Sequence, residues 1–174
     1  MSITNSKNYT MKSILFKTII LLNILFVFSC KAQTSNDYIT FYNDTISKLN
    51  TIIPNKTQFY GQPFSNFYNE LQSKNINIIG VVHDTKVSPS TKYYVVDLFL
   101  CDMNMLGVAS QNSYHDPRIS ITFQDEIPQQ IESMVKQYHA QWNPTIAQFL
   151  SNLKIEKIKF IGVRGYDSDD YSAK

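Results

Sequence analysis

The fold is decided by the run Tyr93-Tyr94-Val95-Val96-Asp97-Leu98-Phe99-Leu100-Cys101, in which aromatic and β-branched residues surround a single charge. Residues of these types favour β-strands. Apolar side chains occupy both the odd and the even positions, a pattern typical of strands buried on both faces. The run therefore predicts a central strand covered on two sides.

Strand and helix patterns flank this run in both directions. Three more segments rich in β-branched residues predict strands at 76–83, 118–123 and 157–163. Apolar residues at intervals of three and four predict four helices, at 38–53, 63–73, 128–138 and 144–153. The order ααβββααβ predicts an α+β fold, one domain with a small, mainly antiparallel sheet of about four strands packed by helices.

The connection between the second and third predicted strands is long, covering residues 103–117. Its residues Gly107, Asn112 and Ser113 favour turns, so a loop is expected. Long loops in compact domains are often functional, which makes this segment one place to search for a site.

Ionisable pairs follow the predicted strands, and they are the candidates for chemistry. If the strand ends converge, imidazole and carboxylate groups could hold a divalent metal with a position open for water. No spacing signature supports this arrangement, and polar turn residues are the simpler interpretation. The candidate ligands are His83, Asp84, His115 and Asp116.

Two further residues stand out within the run 93–101. Cys101 is expected to pack as a small apolar residue, and the alternative is a nucleophilic thiol activated by His83 or His115. Asp97 interrupts the apolar strand, and a buried carboxylate needs partners. A structural role for Asp97 is favoured over a catalytic one.

Aromatic residues are frequent and several lie in or beside predicted turns. Tyr60 and Phe64 flank a Gly-Gln-Pro turn, and Tyr114 lies in the long connection. The simpler interpretation is that they belong to the core and to the start of a helix. The alternative is a recognition surface, because tyrosines give contact area at low entropic cost.

The N-terminal region has the layout of a secretory signal. Lys12 and Lys17 precede an apolar run at 18–28 that is about half the ~20 residues needed to cross a bilayer. Met11 begins a more typical signal than Met1 does. Residues 1–29 are therefore predicted to be a signal peptide, with a true start at Met11 as an alternative.

The end of this segment, Val27-Phe28-Ser29-Cys30, resembles the lipobox of Bacteroidetes-type bacterial lipoproteins. The resemblance covers the signal alone. It implies that Cys30 is lipidated with acyl chains such as palmitate, that residues 30–36 form a polar tether, and that the protein is held at the cell envelope, in the outer membrane.

Charge excludes one class of partner. Three of the 16 Lys and Arg residues lie in the predicted signal and none of the 14 acids does, which leaves 13 bases against 14 acids. The remaining bases are dispersed, so the footprint of a nucleic-acid-binding protein is missing.

The sequence thus predicts a single α+β domain at 37–166, followed by a polar tail at 167–174 that is expected to fray. The expected function is a non-catalytic binding or accessory module, attached to the membrane through its N-terminal lipid, for another envelope component, a protein. No cofactor is expected. The alternative is an envelope hydrolase or metal-dependent enzyme that uses His83, His115 and neighbouring aspartates.

Overall fold

Four antiparallel strands form one sheet in the order β1-β2-β3-β4 in the computed structural model, which describes residues 34–174. Each strand pairs with the next one along the chain. The strands are β1 (Gly80–Thr85), β2 (Tyr93–Phe99), β3 (Arg118–Ile127) and β4 (Ile155–Ile161).

Helices surround this sheet and are interleaved with its strands. They are α1 (Ser35–Leu49), a 3₁₀ helix (Ile53–Phe59), α2 (Phe64–Ser73), α3 (Met103–Gln111), α4 (Gln130–Gln137) and α5 (Pro144–Leu150). The predicted α+β class with a small antiparallel sheet is confirmed.

One face of the sheet forms the core. Val96 and Leu98 of β2 are fully buried, and they belong to one apolar cluster with side chains of α2, α4 and α5. The opposite face of β2 carries Val95, Asp97 and Phe99, which are only half-buried. β2 is therefore fully buried on one face and partly covered on the other, whereas its apolar pattern predicts cover on both faces.

The predicted long loop is mostly a helix. Asp102 has extended backbone angles and its side chain accepts the Met105 N–H at 2.8 Å, so it caps the N-terminus of α3. Gly107 lies inside this helix, where glycine costs about 1 kcal/mol relative to alanine and hides the helical pattern. The loop expected at 103–117 is reduced to the turn after Gln111.

Two buried tyrosines attach α1 to the end of the sheet. The Tyr42 hydroxyl donates to the Gly162 carbonyl at 2.8 Å, and the Tyr38 hydroxyl donates to the carbonyl of His115. Burial raises the pKa of Tyr38 far above its ordinary value, so this hydroxyl remains a donor. Helix α1 is thereby fixed by hydrogen bonds as well as by apolar contact.

The polar tail folds back onto the outer edge of the sheet. Lys174 and Phe160 exchange two backbone hydrogen bonds of 2.9 Å each, and Arg164 donates from Nε to the Ser172 carbonyl at 2.9 Å. The expected fraying is not observed, because the tail pairs with β4.

Two glycines give a matched test of these connections. Gly162 has φ +66°, and an added Cβ would lie 2.3 Å from the Asp116 carbonyl oxygen, whereas a Cβ at Gly107 would meet no atom within 4 Å. We expect Gly162→Ala to lower the free energy of unfolding by more than about 2 kcal/mol. Gly107→Ala should raise it by up to about 1 kcal/mol. The free energy of unfolding of both variants is measured with urea. Equal changes for the two would contradict the different surroundings of Gly162 and Gly107.

Candidate functional site

The two candidate histidines lie in different parts of the sheet. His83 is opposite Val96, which is opposite Ile121 of β3, whereas His115 precedes the start of β3 at Arg118. Two strand spacings alone separate positions by about 10 Å. The imidazoles therefore do not converge as the metal or hydrolase alternative requires.

His115 is buried beneath the folded tail. Its ring stacks on that of Tyr171 with centroids 3.6 Å apart, and its backbone N–H donates to the Tyr166 carbonyl at 2.7 Å. Its Nδ1 is buried without a hydrogen-bond partner in the described chain. These contacts give His115 a role in holding the tail and leave it no access to a substrate.

His83 and the candidate acids are equally dispersed. The His83 ring lies 4.2 Å from the Tyr93 ring, on the core side of β1. Asp84 accepts the backbone N–H of Thr85 at 2.7 Å, and Asp116 lies 3.6 Å from Arg118 Nε. Within residues 34–174 no group of three or more His, Cys, Asp or Glu side chains could hold a metal ion.

Asp97 lies on the half-exposed face of the sheet, opposite Val82 of β1 and Ser120 of β3. Its Oδ1 is buried and accepts no hydrogen bond from the described residues. A structural role for this carboxylate would need a hydrogen-bond donor, such as a helix N-terminus or a tyrosine hydroxyl. No such donor in the described chain bonds to Oδ1.

Cys101 is buried at the end of β2 and its thiol is not activated. Burial, with the neighbouring charges of Asp116 and Asp102, raises its pKa to about 12. A nucleophilic cysteine needs the opposite environment, a positive charge and a lowered pKa. The buried thiol is therefore consistent with the packing role and lacks the environment that the nucleophile alternative needs.

The alternative of an aromatic recognition surface is not assembled. Phe64 is 0% exposed and belongs to the core, so its interpretation as a surface residue was wrong. Tyr60 is half-buried beside β4, where its hydroxyl lies 3.5 Å from the Ile158 carbonyl. Tyr114 stacks on Tyr38 with ring centroids 5.7 Å apart.

The best candidate site is a cavity of 520 Å³ beside the first residues of β1. Its apolar lining comes from the sheet and from α3, and its far wall is the turn at 139–141. Ligand cavities commonly measure about 300–1,000 Å³ and are lined mostly by apolar groups. The apolar residues around this cavity are Ile79, Val82, Phe99, Met103 and Leu106.

A second cavity of 250 Å³ lies next to the first, between α1 and the segment that leads into β1. Both cavities are lined by Ile79, Cys101 and Asp102, which form the ridge between them. The second cavity is more polar, with Asn75 and Asn77 on its wall. We call the two cavities and this ridge the Met103 groove.

Exposed apolar side chains concentrate at this groove. Met103 is 81% exposed, Ile79 42% and Val82 36%, three of the five exposed large apolar residues in the described chain. Contiguous apolar surface on a soluble domain marks an interaction site more often than scattered apolar residues do. The groove thus has the composition of a binding surface.

The turn at 139–141 is positioned by backbone pairing with the start of β1. Trp142 donates to the Ile79 carbonyl at 2.9 Å and Val81 donates to the Ala140 carbonyl at 2.8 Å. His139 and Ala140 both have positive φ, at 51° and 59°. Sequence reasoning missed this wall, because no local pattern indicates that residues 139–141 lie beside β1.

No protein-family model, no curated protein and no solved structure matches this chain. Among the described helices, none has the length and apolar character needed to cross a bilayer. The Met103 groove is therefore the feature of the described chain that bears most directly on its function.

The state of the Cys101 thiol can be measured directly. In a Cys30→Ser chain Cys101 is the single thiol. With a pKa of about 12, about one thiol in ten thousand is ionised at pH 8. We expect almost no reaction with a disulfide reagent in the folded state and rapid reaction in guanidinium. Fast labelling of the folded chain at pH 8 would show an accessible, activated thiol instead.

Proposed function

We propose that this protein is a non-catalytic docking module of the cell envelope, anchored through lipid on Cys30, which binds another envelope protein at the Met103 groove. The anchor rests on the sequence resemblance, because residues 1–33 lie outside the described part of the chain. The observation that carries the binding function is the groove, with its 520 Å³ cavity and exposed apolar side chains.

The chemistry of the groove favours binding over catalysis. Cys101 is held as a neutral thiol and one oxygen of Asp102 caps α3, so the ridge offers no activated nucleophile. Neither His83 nor His115 lines the two cavities, and His139, which lines the larger one, belongs to no group of three or more His, Cys, Asp or Glu side chains in the described chain that could hold a metal ion. An apolar pocket with a polar rim is the usual form of an interface hot spot.

The anchor is tested by cell fractionation of a variant that lacks the lipidated cysteine. We expect Cys30→Ser to shift the chain from the membrane fraction to the soluble fraction, since the acyl chains contribute ~0.8 kcal/mol for each buried CH₂. The matched control is Cys101→Ala, which should leave the protein with the membrane. Mass spectrometry of the N-terminal peptide should find Cys30 acylated, and an unmodified Cys30 in membrane-bound protein would contradict the proposed anchor.

The groove is tested by placing a charge on its rim. Met103→Lys introduces a positive charge at a position that is 81% exposed, so the fold should be retained. Burying this charge in an apolar interface costs more than 1.4 kcal/mol, which predicts at least about a tenfold loss of partner binding.

The control for this variant is Val87→Lys. Val87 is 72% exposed, on the β1–β2 loop away from the groove, so this charge should leave partner binding unchanged. Partner binding is measured as the yield of the crosslinked complex recovered from intact cells, with thermal unfolding confirming that both variants fold. Equal yields for the two variants would remove the groove from the interaction.

A further inference from the structure

We propose that the partner segment docked in the Met103 groove carries a large apolar side chain next to a lysine or arginine. The apolar side chain fills the larger cavity and the cation lies at Asp102. This inference rests on the proposed function, because it names the chemistry of the partner at that same site.

The larger cavity determines the apolar half of this chemistry. Val82, Phe99 and Leu106 line its interior, and Met103 lies at its exposed rim. Interface energy is concentrated in large side chains that fill well-packed, desolvated pockets. Burial of apolar surface is the dominant favourable contribution to association, so one inserted aromatic or aliphatic side chain supplies the main attraction.

The charges of the groove determine the other half. Asp102 is exposed on the ridge, and no Lys or Arg of the described chain forms an ion pair with it. Lys48 is the one Lys or Arg among the residues lining the two cavities, and its Nζ lies 2.6 Å from Asp44 Oδ2. The N-terminus of α3 offsets roughly half a unit charge of the Asp102 carboxylate. With His139 counted as neutral, the lining residues Asp44, Lys48 and Asp102 carry a formal charge of −1, which favours a cation over an anion.

The rim residues favour a protein segment over a lipid chain. Side-chain amides border both cavities, from Asn75 and Asn77 on one side of the ridge and from Asn104 and Gln141 on the other. Each amide offers donors and an acceptor, which match the N–H and C=O groups of an extended backbone. An acyl chain offers no polar group to these amides.

The experiment uses the full-length lipoprotein in the cells that produce it. A photo-crosslinking amino acid, p-benzoylphenylalanine, replaces Asn104 in the larger cavity, and in the control chain it replaces Val87. The crosslinked segment is sequenced by mass spectrometry. We expect a large apolar residue within two positions of Lys or Arg, recovered from Asn104 and not from Val87.

The charge is tested in the same chain by Asp102→Asn. Asparagine caps helices as well as aspartate does, so α3 is retained while the negative charge is lost. Crosslinking from Asn104 should fall about two- to fivefold, the effect of losing one exposed ion pair. Asp125→Asn, at an exposed position of β3 outside the groove, should leave the yield unchanged.

The remaining outcomes separate this inference from the proposed function. A crosslinked protein segment without a neighbouring cation, or a yield unaffected by Asp102→Asn, would overturn the inferred chemistry and leave protein docking at the groove. A lipid or another small molecule recovered from Asn104 would overturn the protein partner itself. No specific crosslink above the Val87 control would overturn both the inference and the docking function.

Discussion

The structure depends on the burial of one face of a four-stranded sheet. Val96 and Leu98 of β2, with Ile119 and Ile121 of β3, are inaccessible to solvent because helices α2, α4 and α5 supply apolar side chains to the same cluster. At roughly 25 cal/mol for each Å² of apolar surface removed from water, this face is the dominant source of stability. The second face is left half-exposed, and the pair α1 and α3 forms its own small cluster with Tyr38, Tyr42 and Ala109.

The junction between β2 and α3 connects this architecture to the chemistry of the groove. Cys101 is buried at the end of β2, and the next residue, Asp102, is the N-cap of α3. The charge of Asp102 contributes to the raised pKa of the Cys101 thiol, so the residue that starts the helix also opposes formation of a nucleophile. The same carboxylate lies on the ridge between the two cavities. Asp102 therefore both caps the helix and places a negative charge on the groove.

Much of the fold could be predicted because its signals are local. Aromatic and β-branched residues identified β2 and β3, and the apolar spacing identified α1, α2, α4 and α5. Helix α3 was missed because Gly107 and the following Asn112-Ser113 favour turns. The groove could not be predicted at all. The turn at 139–141 is brought to the start of β1 by backbone hydrogen bonds of Ile79 and Val81 with Trp142 and Ala140, which are far apart from them in sequence.

The proposed anchor and the proposed groove are physically consistent with each other. Five residue steps separate Cys30 from the start of α1 at Ser35, and an extended chain of that length spans at most about 17 Å. A domain held so close to a membrane meets partners anchored in the same membrane at a high effective concentration. In the proposed complex, one inserted apolar side chain and one ion pair are weak for a freely diffusing protein, but confinement to the membrane raises their occupancy. A small groove is compatible with such a confined interaction, because confinement supplies affinity that a larger interface would otherwise provide.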